Sequence, residues 1–421
     1  MMSEPGPMLV NSLTSSAVPP SLFDRGLRRL VHSRLAAFTA AEIQVVDGLG
    51  ERAFGTAADS GLRVRLQVRD PRTYRSVALG GTIGAAEAYA DGWWDADDLT
   101  ALVRIVARSR DAANQLEGWS TWLNWAAHLA SFRLRDNRKT QSRRNISAHY
   151  DLGNDFFAAF LDPSMTYSCA VFPDKGSSLE DASTHKLDLI CRKLNLSASD
   201  ELLEIGTGWG SLAIHAATKY GCRVVTTTIS REQFAYATDA VRQAGLDRQV
   251  TVLNTDYRDL PTTLNRQFDK VVSVEMIEAV GYRFLDHYFH VCAEMTKPGG
   301  NMLLQSIVIA DPLYEAYRRS VDVIQRYIFP GGFLPSLADL RRRVAARTEF
   351  RIVDLDDISD HYPPTLRLWR AGLRQNWSGL QARGYPESLL RMWEYYFCYS
   401  EGGFLERTIG DVQLVLTKTQ T

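Results

Sequence analysis

The sequence predicts an α/β fold built on a doubly wound parallel sheet, and three observations predict it. Residues 202–210 read Leu-Leu-Glu-Ile-Gly-Thr-Gly-Trp-Gly, an apolar run ended by Gly206, Gly208 and Gly210. Ser211 to Tyr220 then has the spacing of an amphipathic helix and is closed by Gly221, which gives strand, tight turn and helix. Downstream, strand-length apolar runs recur between helix-length segments, the alternation of a parallel sheet that binds ligands at the carboxyl ends of its strands.

With 421 residues the chain has room for two to three domains, and 45% hydrophobic with 23% charged residues is an ordinary globular composition. A formal net charge of -1 excludes any global attraction to nucleic acid, so contact with phosphates has to be local. Cys169, Cys191, Cys222, Cys292 and Cys398 are odd in number, scattered and without a CxxC pair. That pattern argues against a disulfide framework and against a metal site, and a reducing cytoplasm suits it. No apolar run approaches the roughly 18 residues of a membrane span, so the protein is expected to touch a bilayer without crossing it.

In chain order, residues 1–20 hold Glu4, several prolines and no basic start before an apolar core, and read as a flexible tail. Residues 21–132 read as a smaller amino-terminal α+β domain. Within it Leu62, Val64, Leu66 and Val68 alternate with Arg63, Arg65, Gln67 and Arg69, a half-buried strand with a basic outer face. Such arginines are commonly just solvated; the functional reading is contact with phosphate headgroups, each worth about 1 kcal/mol near an anionic surface. Asp70-Pro71 signals a turn into a second strand, Tyr74 to Leu79, completing a hairpin. Ala85 to Leu99, with Trp93 and Trp94, caps this domain. Residues 133–145, with Arg133, Arg135, Arg138, Lys139, Arg143 and Arg144 against Asp136, lack apolar periodicity and read as a basic linker.

Residues 146–421 carry the large sheet. After the strand at Leu202 come Val224 to Thr228, Val250 to Leu253, Lys270 to Val274 and, beyond Lys297-Pro298-Gly299-Gly300, Asn301 to Gln305. Phe350 to Val353 and Val412 to Leu416 complete seven strands.

Glycines at the end of a first strand let backbone amides approach a ligand, because no side chain stands in the way. A dinucleotide fold shares that turn, but it wants a third glycine where this chain has Ser211, and an acid about twenty residues on. The Val224–Thr228 run ends without an acid, whereas Glu204 stands just before Gly206, where methyltransferases of this fold carry an acid that helps position the methionine end of S-adenosylmethionine. The adenosyl cofactor is therefore favoured. Thr228, Gln233, Asp256 and Tyr257 fall at successive strand ends and suit its ribose and adenine, although Ser230 and Asp256 also suit helix caps.

These motifs together resemble the cyclopropane-fatty-acyl-phospholipid synthases, relatives of the mycolic acid cyclopropane synthases. The likeness runs through Asp91-Gly92-Trp93-Trp94, His149-Tyr150-Asp151-Leu152-Gly153-Asn154, Tyr167-Ser168-Cys169-Ala170, Glu204 to Gly210, Tyr327 to Gly332 and Trp393 to Phe397. It implies a Rossmann-like methyltransferase sheet with an amino-terminal lipid-binding domain. It implies that Tyr167, Ser168, the stretch Leu202 to Gly210 with Glu204, Gly206, Thr207, Gly208, Trp209 and Gly210, then Thr228, Ile229, Ser230, Gln233, Tyr257 and Arg258 bind S-adenosylmethionine. It further implies a bicarbonate base site at Cys169, Glu278, Gln305, Ile307 and Tyr362. Gln305 departs from the histidine of the family: its amide can hydrogen-bond an oxyanion but carries no charge or proton. Thr207 stands where the family usually has cysteine. A carboxy-terminal cysteine of the family aligns with Ser400, two residues from Cys398, and neither is assigned a role.

The implied reaction transfers a methylene group to the cis double bond of an unsaturated acyl chain in membrane phospholipid, through a carbocation that water must not reach. Aromatic faces attract such a cation, and Tyr314, Tyr317 and Tyr327, with Val321, Ile324 and Ile328 on one amphipathic helix, are candidates to line an acyl tunnel, though such spacing is more often plain core. A base must then take a proton from the added methyl group, and Glu278 is placed to hold bicarbonate or to act itself; an acid there also suits a helix cap. The expected location is cytoplasmic, peripheral to the inner membrane surface, with no nucleic-acid partner; a homodimer is compatible with the sequence. Three other functions share some of these features: a lipid C-methyltransferase leaving a methyl or methylene branch, a small-molecule N- or O-methyltransferase, and a lipid-binding protein without turnover.

Overall fold

The computed structural model describes residues 21–39, 41–57, 61–109 and 152–420. The tail, the basic linker and the His149-Tyr150-Asp151 end of one motif lie outside the described residues.

Strands β1 (Glu42–Asp47), β2 (Gly50–Phe54), β3 (Arg63–Val68) and β4 (Trp94–Ala96) form a first sheet in the order β2-β1-β3-β4. The alternation of β3 is as expected, with Val64 and Val68 buried and Arg63 and Arg65 exposed. The basic face is not bare, however. Arg63 faces Glu42 at 3.3 Å, Arg65 faces Glu51 at 3.7 Å and Arg69 faces Asp95 at 2.6 Å, so each arginine already has a carboxylate.

The expected second strand of a hairpin is instead part of a helix, Arg72–Ala90. Asp70 accepts from the Arg72 N–H at 2.8 Å, satisfying one of the free amides of a helix start, and Tyr74 and Ala78 lie one turn apart on the buried face. The antiparallel partner of β3 is β4, which begins at Trp94.

The second sheet has seven strands in the order β10-β11-β9-β8-β5-β6-β7. They are β5 (Glu201–Ile205), β6 (Arg223–Thr227), β7 (Val250–Leu253), β8 (Phe268–Val274), β9 (Thr296–Ile309), β10 (Phe350–Asp357) and β11 (Ile409–Lys418). The expected parallel sheet is corrected at one strand, because β11 runs antiparallel to both β9 and β10. Helices between residues 362 and 405 return the chain to the carboxyl end of β9, where Ile409 pairs with Ile309. Central strands are buried on both faces: Leu203, Val271 and Leu304 pack into one layer, and Leu202, Val272 and Leu303 into the other.

The helix Glu387–Leu405 joins the two sheets. Its Glu394 accepts from the Tyr89 hydroxyl at 2.8 Å, Glu401 accepts from Thr100 at 2.9 Å, and Arg391 donates to the Tyr89 carbonyl at 2.6 Å. Buried carboxylates with several donors hold the amino-terminal helices against the wall of the large sheet.

Candidate active site

The glycine turn is built as its sequence requires. Gly206 has φ 108°, and its N–H and that of Thr207 both donate to the Thr227 carbonyl, at 3.0 and 3.1 Å, which folds the turn over the end of β6. The helix Ser211–Tyr220 starts immediately after Gly210 and ends at Gly221, at the boundaries its sequence predicts. Below the turn Glu204 is buried; Thr226 donates to it at 2.6 Å. Burial pushes its carboxyl up to about 8.

This turn forms the polar end of a cavity of about 610 Å³. Tyr167, Ser168, Glu204, Gly206, Thr207, Gly208, Trp209, Thr228, Ile229, Gln233, Asp256, Tyr257 and Arg258 all line it. Gly210 and Ser230 do not: a Cβ on Gly210 would meet that of Ala237 at 3.3 Å, so its bareness serves helix packing, and Ser230 caps the helix Arg231–Gln243 by accepting from the Gln233 N–H at 3.2 Å. Asp256 is a cap as well as a lining residue, accepting from the Arg258 N–H at 3.0 Å and from its guanidinium at 2.6 Å.

The other arm of the cavity is apolar. Val103, Val106 and Ala107 from the helix Leu99–Arg108 line it together with Ile309, Leu313, Val321 and Ile324. Of the three tyrosines expected on one helix, only Tyr317 lines the space. The chain there is broken into Tyr314–Tyr317 and Ile324–Ile328; Tyr314 is buried against Phe333, and Tyr327 is surface-facing with its hydroxyl on Glu87. Aromatic surface comes instead from Tyr167, Phe329 and Tyr396, backed by Phe157, Trp369 and Trp393.

Of the residues expected to hold bicarbonate, Glu278, Ile307 and Tyr362 line the cavity. The Ile307 N–H donates to Glu278 at 2.6 Å, and Glu278 and Tyr362 share the cavity with the Gly206 turn. Cys169 and Gln305 lie behind the wall. The Cys169 N–H, the Gln305 amide and the Tyr362 hydroxyl donate to one group, the carboxylate of Glu275, at 2.8, 2.8 and 2.7 Å. Gln305 also donates to the buried Asp411 at 3.0 Å. The four donors expected to hold an external anion are thus engaged by the chain's own acids, which leaves none of them for a bicarbonate ion. Bicarbonate does not fit this arrangement.

Sequence reasoning missed Glu275, Asp411 and Lys186. The last lies on the buried face of the helix Leu179–Lys193 and donates to Ser168 at 2.7 Å, and burial lowers its pKa. Burial, then the neighbouring Glu275, pushes Glu278 up to about 8, and its Oε2 has no hydrogen-bond partner among the described residues. Burial likewise raises Glu275, against the pull of Tyr362, the Cys169 amide and Lys186, and raises Asp411 well above the ordinary carboxyl range.

A pH dependence of stability follows from the two acids near 8. Both titrate near 4.5 when free, so between about 4.5 and about 8 the folded chain binds protons that the unfolded chain has released. Their contribution is complete below the lower value and is lost as pH rises through the upper one. Thermal melting of the ligand-free protein should therefore fall between about pH 5 and pH 8, by roughly 1 kcal/mol or more per acid. Glu204→Gln and Glu278→Gln should each flatten the profile, and a melting temperature rising over that range would contradict the assignment.

No described helix is long and apolar enough to cross a membrane, and no group of His, Cys, Asp and Glu among the described residues is arranged to hold a metal. All five cysteines are free and buried.

Residues 137–414 match the family model described as mycolic acid cyclopropane synthetase. The chain is 40% identical over 340 residues to the tuberculostearic acid methyltransferase of Mycobacterium tuberculosis, covering 78% of this chain and 77% of the relative. It is 37% identical over 371 residues to the cyclopropane-fatty-acyl-phospholipid synthase of Escherichia coli, covering 86% and 90%. Among solved structures it is similar to a Mycobacterium tuberculosis cyclopropane synthase, with 29% identity, a TM-score of 0.61 and coverage of 66% and 98%. A mycolic acid cyclopropane synthase in complex with SAH and CTAB is similar at 30% identity and TM-score 0.61, also covering 66% and 98%.

Proposed function

The chain belongs to the mycolic acid cyclopropane synthetase family of S-adenosylmethionine-dependent lipid methyltransferases, and from that premise we propose that it adds a methylene group to the cis double bond of an unsaturated acyl chain in membrane phospholipid, leaving a cyclopropane ring. The observation that carries this reading is the single cavity, in which a glycine turn with polar strand ends opens into an apolar arm flanked by aromatic faces. A soluble small substrate would have no use for that arm.

In this reading Glu204 and Ser168 hold the methionine end of the cofactor, and Thr228, Gln233, Asp256 and Tyr257 hold its ribose and adenine. The cofactor supplies a methyl group made electrophilic by a sulfonium. The π electron pair of the alkene forms the new C–C bond while the methyl–sulfur pair returns to sulfur, and positive charge is left on the acyl chain. Tyr167, Phe329 and Tyr396 face that charge with their π clouds and exclude water. Loss of a proton from the added methyl group lets its C–H pair close the ring. The phospholipid is met at the membrane surface, where the protein docks peripherally.

Incubating the protein with S-adenosylmethionine and unsaturated phospholipid vesicles should add one CH2 per double bond, read by lipid mass spectrometry; unchanged lipid would refute the reading. Val106→Trp, which narrows the apolar arm, should lower kcat/KM for lipid by roughly tenfold or more, the scale of one misfitted large group in a close-packed channel. SAH affinity should be unchanged, and an undiminished lipid rate would remove the helix Leu99–Arg108 from the acyl path.

A second reading, a C-methyltransferase that leaves a branch, is supported by the 40% identity to a relative named as a tuberculostearic acid methyltransferase. The two differ in how the cation is resolved: the C–H pair of the added methyl group either closes a ring or, after a hydride shift along the chain, forms an exocyclic methylene, and NMR signals of ring protons in the product distinguish them.

A further inference from the structure

Glu275 is a non-glycine residue held at φ 47°, at the carboxyl end of β8 and on the cavity wall. Side chains rarely adopt that backbone region, and such outliers persist where the surrounding structure fixes them. Here the fixing groups are three donors from three separate parts of the chain: the Cys169 N–H and the Gln305 amide on Oε1, and the Tyr362 hydroxyl on Oε2. Ordinary packing gives no reason to bury a carboxylate on a strained backbone among polar groups. An acid that must meet a reacting atom at one fixed point does.

We propose that the Glu275 carboxylate is itself the base that takes the proton from the transferred methyl group, so that the chain needs no bicarbonate. This rests on the ring-forming reading above. The C–H electron pair closes the second C–C bond, the proton passes to a Glu275 oxygen, and it is released to solvent as product leaves; no oxidant or reductant enters. Glu275 is better suited to this than its neighbours. Glu278 accepts the Ile307 N–H, and its Oε2 has no partner among the described residues, while Asp411 lies behind Gln305, outside the cavity lining. Gln305 suits the arrangement because its amide donates to two acids at once, Glu275 and Asp411, at 2.8 and 3.0 Å.

The test uses the full chain, S-adenosylmethionine and unsaturated phosphatidylglycerol vesicles in carbon-dioxide-free buffer, with and without added bicarbonate. The wild-type rate of ring formation should be the same in both. Glu275→Gln should lose roughly 100-fold or more in kcat, the usual contribution of a general base, with SAH affinity retained and the remaining product shifted from ring to non-cyclic lipid. Glu275→Gly, which relieves the backbone and empties the carboxylate's place, should be similarly impaired and regain rate saturably as bicarbonate is added. A wild type that forms rings only with bicarbonate overturns this proposal alone, and so does ring formation undiminished in Glu275→Gln or lost in Glu278→Gln only. Loss in both Glu275 variants without rescue assigns Glu275 a structural role and also overturns it. A wild type that binds SAH but converts no lipid overturns the parent reading as well.

Discussion

Replacing Gly206 by valine should weaken SAH binding by roughly tenfold to a hundredfold, the equivalent of 1–3 kcal/mol of backbone strain at a turn that must keep its shape. Gly206 sits at φ 108°, and a Cβ there would meet Cβ and Cγ of Met276 at 3.1 Å. A β-branched side chain cannot relax into that region, so the turn shifts and its amides leave the Thr227 carbonyl. Met276 follows Glu275 directly, so the same shift disturbs the acid at the end of β8. Gly208 offers a comparison, since a Cβ there has nothing within 4 Å and points into open space. Gly208→Val should also obstruct the cofactor, yet with a smaller loss of melting temperature than Gly206→Val. Isothermal titration of both variants with SAH decides the matter; wild-type affinity in Gly206→Val would show that this turn does not cradle the cofactor.

Trp393→Ala should be among the most destabilising single changes in the protein. Its ring is 2% exposed and packs within ring-centroid distances of 4.9 Å of Phe156, 5.7 Å of Phe157 and 5.6 Å of Tyr396. Truncating a buried tryptophan costs about 3–5 kcal/mol through lost burial and the cavity left behind. For a protein of this size that lowers the melting temperature by roughly 3–6 °C. The effect should reach the site, because Trp393 also backs Tyr167, 6.4 Å away, on the cavity wall. Trp393→Phe should recover much of the stability. A shift of about one degree or less in Trp393→Ala would mean that this cluster does not anchor the helix Glu387–Leu405.

The parts of the fold that are legible in the sequence are those with local punctuation. Glycines mark both ends of the helix Ser211–Tyr220, and β7 matches its apolar run from Val250 to Leu253. Tyr74 to Leu79 is misread because a short apolar run fits either period, and only the capping by Asp70 and the burial of Tyr74 and Ala78 one turn apart select the helix. β9 extends from Thr296 to Ile309, well past Gln305, because pairing with β11 supplies partners that its own residues do not announce.

The cofactor end of the site is legible for a similar reason: its residues cluster at strand ends, where a doubly wound sheet puts ligands. The acid network is not. Glu275 lies three residues from Glu278 in the same run, and nothing local says which carboxylate meets the Cys169 amide more than a hundred residues earlier in the chain. Lys186 and Asp411 did leave a trace. A lysine within the apolar stripe of Ala182, Leu187 and Ile190, and an acid heading the late run Val412 to Leu416, are both polar groups where burial is expected, and such groups ask for partners.

One labelling experiment tests the central claim most directly. With S-adenosylmethionine carrying a fully deuterated methyl group and unsaturated phospholipid vesicles, the modified acyl chain should retain two of the three methyl deuterons, because one C–D bond breaks as the ring closes. Mass spectrometry reads the count and NMR reads the ring. Retention of all three deuterons in an acyclic methyl branch, or lipid without label, contradicts the account.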